Sequence, residues 1–201
     1  MTVHGTHLFD MMIAFAGKPR WVSAQVAVGD RDATIEDRRE GNEPVGPIAG
    51  DSIGATFGFP DGVHGFFDST ANTDSPGRLL YGLRVECEKA LLHIRRLGDV
   101  FIYPATVVLP EISKLRWQKT WVEKWHFTPE HKPRDLSDWI ARGNRYLAQQ
   151  LIKAAEKDRE PVASGETALS IMEMVQGVYA SHFRNGQRVL IPQTPRRHPL
   201  S

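Results

Sequence analysis

The chain has almost no cysteine, no long apolar run and no excess of charge of either sign. Its single cysteine, Cys87, excludes an internal disulfide and any zinc or iron–sulfur site built from several thiolates. No run approaches the roughly 20 apolar residues that cross a bilayer, so no membrane partner is predicted. There are 25 Lys and Arg against 24 Asp and Glu, and the net charge of +1 gives no electrostatic basis for nucleic-acid binding.

Two catalytic motifs are also missing from the sequence. No serine lies in the strand-to-helix turn that exposes a hydrolase nucleophile, and no glycine-rich phosphate loop follows a predicted strand. The second absence matters more, because such a loop carries the pyrophosphate in the usual dinucleotide-binding fold. This chain is therefore expected to bind no nicotinamide cofactor by itself.

The composition is that of an ordinary globular protein, with 41% hydrophobic and 24% charged residues. At 201 residues the chain is long enough for one large core and short for two independent domains. We therefore predict a single domain over residues 1–192 and a flexible tail over 193–201. No signal pattern opens the sequence, so the expected location is cytoplasmic, with a signal on a preceding segment left open.

A short helix is predicted near the start of the chain, over residues 6–16. Gly5 and Thr6 can break and cap the chain before it, and Gly17 with Pro19 is the usual helix stop. One face of this helix is expected to enter the core through Leu8, Met12 and Phe15.

His7 and Asp10 are the candidate catalytic residues of this helix. They lie at i and i+3, where side chains are neighbours, and an imidazole beside a carboxylate is an acid/base pair. The alternative is that His7 is a buried histidine with satisfied hydrogen bonds and Asp10 a helix-end charge. His4, His7 and Asp10 also have a spacing seen in metal sites, but no second cluster completes a coordination shell, and no metal is predicted.

Alternation of apolar with small or polar residues predicts the strands, because successive side chains of a strand point to opposite faces. The predicted strand segments are 21–28, 52–59, 63–70, 79–95 and 99–104. Pro60-Asp61-Gly62 is expected to form a hairpin turn, and Gly98-Asp99 a second turn. Cys87 is expected to be a small apolar strand residue.

Helical periodicity replaces this alternation in the last third of the chain. One helix is predicted from a cap at Asp135 or Ser137 to about Asp158, and another from a cap at Ser164 to a stop at Asn185-Gly186. Residues 188–192 are expected to form a short closing strand. The fold class is therefore α+β, a mostly antiparallel open-faced sheet with helices packed on one face. An open sheet face rich in aromatic residues predicts a homo-oligomer.

Trp117, Trp121 and Trp125 recur every four residues, a spacing that places them on one face of either a helix or a strand. Aromatic faces stack on sugar rings, and Trp117 and Trp121 are the candidate substrate-binding residues. Core packing or a subunit interface is the alternative for all three side chains.

Several of these segments together resemble the C-terminal domain of the glucose-fructose oxidoreductase and inositol dehydrogenase family, also written Gfo/Idh/MocA. The resemblance covers nearly the whole chain, and it rests on the order and spacing of the motifs. The matching segments are Gly5 to Asp10 with Gly17 and Pro19, Asp51 to Phe59 with Asp61, Gly62 and Gly65, Asn144 to Ile152, Arg159 to Val162, Ser164-Gly165, and Glu173, Tyr179, Ser181 and Val189 to Pro192.

This resemblance implies a domain that supplies the substrate pocket and the oligomer interface of an enzyme that uses NAD or NADP. In that family the cofactor and a catalytic lysine belong to a preceding Rossmann domain, which this sequence lacks. His7 matches the family's histidine near the reacting hydroxyl group. Many members carry an aspartate four residues earlier, where this chain has Val3, and Asp10 could orient His7 instead.

Two classes of function follow from the sequence. The first is an oxidoreductase that, as a complete protein, acts on a sugar, polyol or related hydroxyl compound, these residues alone being inactive. The second is a noncatalytic ligand-binding or assembly module.

Overall fold

The computed structural model describes residues 4–41, 46–71, 81–95, 99–104, 118–120, 139–194 and 196–200. Their contacts group the chain into two compact units, unit 1 with residues 1–72 and 163–201 and unit 2 with residues 73–162. The single domain over residues 1–192 stays a prediction. None of the helices in the described ranges is long and apolar enough to cross a membrane.

Three α-helices and eleven short or medium strands make up the described structure. In chain order they are α1 (His4–Ala16), β1 (Trp21–Val28), β2 (Arg31–Asp32), β3 (Arg39–Glu40), β4 (Pro47–Ile48), β5 (Ser52–Gly58), β6 (His64–Thr70), β7 (Gly82–Glu86), β8 (Ala90–Arg95), β9 (Asp99–Pro104), β10 (Gln118–Thr120), α2 (Trp139–Glu156), α3 (Gly165–His182) and β11 (Val189–Leu190). The predicted α+β class is confirmed.

Unit 1 is built on an antiparallel sheet in the order β11-β1-β5-β6, with β2 paired to the far end of β1. The register aligns Val22 with Phe57 and Val26 with Ile53, so these side chains share one buried face of the sheet. Both α1 and α3 pack on this face, while the opposite face carries no helix of unit 1 among the described residues. The predicted hairpin is confirmed as β5 and β6, joined by a single turn of 3-10 helix at Pro60–Gly62.

Helix α1 buries a different stripe from the predicted one. Its buried side chains include Phe9 and Met12, and the Phe9 ring lies 5.3 Å from the ring of Phe57 and 4.8 Å from that of Phe67. Phe15 is 50% exposed and Leu8 only half-buried, so the prediction that both enter the core is wrong. Helical periodicity alone allows either Phe9 or Phe15 to face the core. Phe9 is the one that is buried, because its ring packs between the rings of Phe57 and Phe67.

Helix α3 begins and ends as predicted. The Ser164 hydroxyl accepts a hydrogen bond from the Thr167 backbone N–H at 3.1 Å, and Asn185 and Gly186 both have positive φ after the last turn. The second half of the helix is buried against β1, whereas Met172 in the first half is exposed.

Side chains from α3 complete an open stretch of the β1 edge. On that edge β11 pairs only with Trp21 and Val22, and β2 only with Ala27 and Val28. Between them, the backbone N–H of Ala24 donates to Ser181 Oγ at 2.8 Å, and that of Val26 donates to His182 Nδ1 at 3.1 Å. The helix therefore supplies hydrogen-bond acceptors where a neighbouring strand would otherwise be required.

Unit 2 contains a separate four-stranded antiparallel meander in the order β10-β9-β8-β7, together with α2. The sequence predicted one sheet and an uninterrupted strand over 79–95, but the chain turns between β7 and β8. Cys87 is exposed and lies in this turn, where its N–H donates to Ala90 O at 2.9 Å, so its prediction as a strand residue is wrong. Charged Glu88 and Lys89 occupy the rest of the turn, which places them in solvent.

The flexible tail over residues 193–201 stays a prediction, and two of its described residues make contacts with the rest of unit 1. Leu200 is fully buried, and Arg196 Nη2 lies 2.8 Å from Glu173 Oε1 on α3. The burial of Leu200 and the ion pair of Arg196 hold these residues against the rest of unit 1.

Candidate functional site

The helix α1 presents both predicted catalytic side chains on its exposed surface. His7 and Asp10 are exposed, and they flank Phe9, which anchors the helix in the core. An ion pair between Lys18 and Glu166 ties the segment after α1 to the first turn of α3. The alternative that His7 is a buried histidine is therefore wrong, and its imidazole is accessible on a helix that Phe9 anchors in the core.

His7 and Asp10 do not bond to each other in the described structure. They remain one helical turn apart, a spacing from which a carboxylate can attract an imidazolium that forms on the same face. Within the described ranges, no group of three or more His, Cys, Asp and Glu side chains could hold a metal ion. Val3, which takes the place of the family's aspartate, and Trp117, Trp121 and Trp125 lie outside the described residues.

The open face of the unit 1 sheet carries an aromatic cluster that the sequence did not single out. The Trp21 ring lies across Gly58, where an added Cβ would come within 2.0 Å of it. The Arg188 guanidinium carbon is 3.9 Å from the Trp21 ring centroid, and the His64 ring is 5.7 Å away. Pairing in β1, β5 and β6 brings these residues together, whereas Arg188 is distant in sequence and no local spacing could have revealed it.

Phe66 and Leu190 extend this surface and are 77% and 70% exposed, respectively. Trp21 pairs with Leu190 on one side and Gly58 pairs with His64 on the other, so the open face runs across four strands. A surface that combines exposed aromatic and aliphatic side chains with an arginine has the composition of a subunit interface.

Three polar residues near the C-terminal end of α3, Tyr179, Ser181 and His182, have a structural role. The hydroxyl of Tyr179 accepts from Ala49 N and donates to Ala49 O, each at 3.2 Å. Ser181 Oγ donates to Gln187 O at 2.7 Å, and His182 Nε2 donates to Ala33 O at 2.7 Å while its Nδ1 accepts from β1. Burial raises the pKa of Tyr179, so this hydroxyl stays protonated and able to donate.

The described strands do not form a dinucleotide site of the usual kind. Every described strand pair is antiparallel, whereas that site lies at the carboxyl ends of parallel strands joined by helices. The described strand pairs therefore lack the parallel crossover on which a dinucleotide site of that kind is built.

No protein-family model and no curated protein matches the chain. Solved structures nevertheless share its fold. An NAD-binding oxidoreductase from Klebsiella pneumoniae aligns with 94% of this chain and 49% of its own length, at 13% identity and a TM-score of 0.66. Levoglucosan dehydrogenase in complex with NADH and levoglucosan aligns with 94% of this chain and 49% of its own, at 14% identity and a TM-score of 0.64.

A third neighbour is the WlbA dehydrogenase from Bordetella pertussis in complex with NADH and UDP-GlcNAcA. It aligns with 94% of this chain and 46% of its own length, at 18% identity and a TM-score of 0.57. The chain thus spans about half the length of each of these three neighbours. At such low identity the likeness shows a common fold, and it leaves the activity to be argued from the residues.

Proposed function

We propose that this chain is the substrate-binding and oligomerisation part of a Gfo/Idh/MocA-type oxidoreductase that uses NAD or NADP. The substrate is a sugar, a polyol or a related hydroxyl compound. The shared fold supports this proposal, since levoglucosan dehydrogenase and the WlbA dehydrogenase were solved with NADH and with sugar-type ligands. In this proposal the cofactor is held by a further domain, as in the family that the sequence resembles.

The observation that carries the proposal is the exposed imidazole of His7 on a helix that Phe9 and Met12 anchor in the core. Oxidation of a hydroxyl group to a carbonyl requires its oxygen to lose a proton, and a histidine is suited to accept that proton near neutral pH. In the reverse reaction His7 returns the proton to the carbonyl oxygen. Phe9, buried two residues along, keeps the helix in place while His7 stays in solvent.

Asp10 is a positioning residue in this proposal. Its carboxylate lies one turn along the exposed face, where it is proposed to orient the imidazole of His7. Trp117 and Trp121 are proposed to stack on the apolar faces of a sugar ring. The open sheet face around Trp21, Phe66 and Leu190 is proposed to join copies of the chain into a homo-oligomer.

Substitution of His7 in the protein that includes the nucleotide-binding domain tests the catalytic assignment. His7→Gln removes the titratable ring but keeps a polar side chain, and we expect turnover to fall about 100-fold or more. Binding of NADH, measured by fluorescence titration, should stay unchanged. His4→Gln, one turn earlier on the same helix, is the matched control and should keep its turnover within about twofold.

The alternative function is a noncatalytic ligand-binding or assembly module. The exposed side chains of Phe66 and Leu190 favour an assembly role, since association through them would not require a catalytic role for His7. A His7→Gln protein with normal turnover would remove His7 from the mechanism. Absence of turnover in the unsubstituted protein on a panel of sugars and polyols, with self-association intact, would favour the module.

A further inference from the structure

A depression of about 330 Å³ lies at the C-terminal end of α3. Three parts of unit 1 form its walls: the end of α3 with the two residues after it, Ile35 in the 3-10 turn that follows β2, and the C-terminal segment after β11. Its volume lies at the lower end of the range for small-molecule sites, about 300–1,000 Å³. It has no part in the reaction proposed for His7.

The charged side chains that line this depression are both arginines, Arg184 and Arg197. No acidic side chain lines it, and neither arginine forms an ion pair in the described part of the chain. Their neighbour Arg196 instead pairs with Glu173, so that carboxylate is already engaged. Two uncompensated guanidinium groups at one depression favour an anionic occupant.

An arginine at a helix end can serve simply to bind the last backbone carbonyl groups. Here the following turn already fills that role. Phe183 N donates to Tyr179 O at 3.0 Å, Asn185 N to His182 O at 2.9 Å, and Gly186 N to Ser181 O at 2.9 Å. The Arg184 guanidinium is thus not required to close α3.

The remaining walls are largely apolar. Phe183 and Ile35 expose 37% and 48% of their surface, and Pro199 lies beside them. Thr194 and Gln193 are the uncharged polar residues of the same lining.

We propose that this pocket binds a small organic anion. A carboxylate or phosphate group lies between Arg184 and Arg197, and a short aromatic or aliphatic body packs on Phe183 and Ile35. Arginine is the side chain best suited to such oxyanions, and the apolar walls exclude water from one side of the contact. A free inorganic anion would leave those walls uncovered.

Titration of the full chain with phenyl phosphate and with benzoate, followed by ¹H–¹⁵N NMR, tests the proposal. Saturable shifts are expected at the amides of Phe183, Arg184 and Thr194, with a dissociation constant of about 1 mM for a ligand of this size. Benzyl alcohol, which has a similar body and no charge, should bind at least about tenfold more weakly. Added salt should weaken binding of both anions.

Arg184→Gln and Arg197→Gln should each weaken binding about tenfold or more, since each removes a charge-assisted hydrogen bond. Arg20→Gln is the matched control, because Arg20 is an exposed arginine of unit 1 outside the pocket. An equal loss in the Arg20 variant, or no saturable shift with either ligand at about 10 mM, would overturn the site. Inorganic phosphate binding as tightly as phenyl phosphate would overturn the organic part of the proposal.

Discussion

The buried hydroxyl of Tyr179 shows how one atom joins α3 to a distant segment of the chain. It both accepts from and donates to the backbone of Ala49, so Tyr179→Phe leaves two buried polar groups without a partner. We expect a loss of about 1–3 kcal/mol in the free energy of unfolding, measured by urea denaturation.

Tyr146→Phe is the matched control, because Tyr146 on α2 is exposed. Any group that bonds to its hydroxyl can bond to water instead when that hydroxyl is removed. Its cost should stay below about 0.5 kcal/mol. An equal cost in the two variants would show that the Ala49 contacts contribute nothing specific.

At the scale of single residues, the sequence predicted position along an element better than burial. The i and i+3 spacing of His7 and Asp10 correctly placed both on one helix, since spacing depends only on local geometry. The burial of Phe9 in place of Phe15 depends on the positions of Phe57 and Phe67 in two later strands. The packing of Arg188 on Trp21 depends on the same long-range pairing.

At the scale of elements, the short segment from β2 to the following 3-10 turn is held by charge. The two terminal nitrogens of the Arg31 guanidinium, Nη1 and Nη2, each donate to a carboxylate oxygen of Asp37 at 2.7 Å, and Asp37 also accepts from Thr34 N at 2.8 Å. These contacts, the Arg31 hydrogen bonds foremost, hold the pKa of the Asp37 carboxyl well below its ordinary value.

A group with a lowered pKa in the folded state stabilises the fold above its unfolded pKa, about 3.9 for aspartate, and loses that effect as the pH falls further. Asp37→Asn should therefore be less stable than the unsubstituted protein at pH 7, with the difference shrinking below about pH 4. Urea denaturation at several pH values measures this. A difference that stays constant down to about pH 2 would contradict the ion-pair explanation.

The elements themselves were predictable wherever local signals mark both ends. The predicted 21–28 strand matches β1, and the Ser164 cap and the Asn185-Gly186 stop correctly bound α3. The turn after β7 was missed, because Cys87, Glu88 and Lys89 carry neither glycine nor proline. The sequence did not predict that β7 to β10 form a sheet separate from that of β1, β5 and β6. Alternation of apolar and polar residues marks a strand but does not specify which other strand it pairs with.

At the scale of the whole molecule, the open sheet face predicts self-association. Phe66 and Leu190 are among its most exposed side chains, and burial of such a surface against a second copy would remove both from water. The sequence predicted an open aromatic face, although it did not identify these two residues. Because apolar side chains near an interface centre dominate its energy, a charge at one of them should be strongly disruptive.

Phe66→Lys should therefore shift the protein from oligomer to monomer in sedimentation velocity, at a concentration where the unsubstituted chain is associated. Loss of the phenyl group and burial of an unpaired ammonium should together cost about 2 kcal/mol or more, a change of about 30-fold or more in the dissociation constant. Phe15→Lys, at an exposed phenylalanine on α1 and outside this face, should leave association unchanged. If the unsubstituted protein is monomeric at tens of micromolar, the interface is removed from the proposal. His7 lies on α1 and not on the open sheet face, so its catalytic role would still be decided by the His7→Gln measurement.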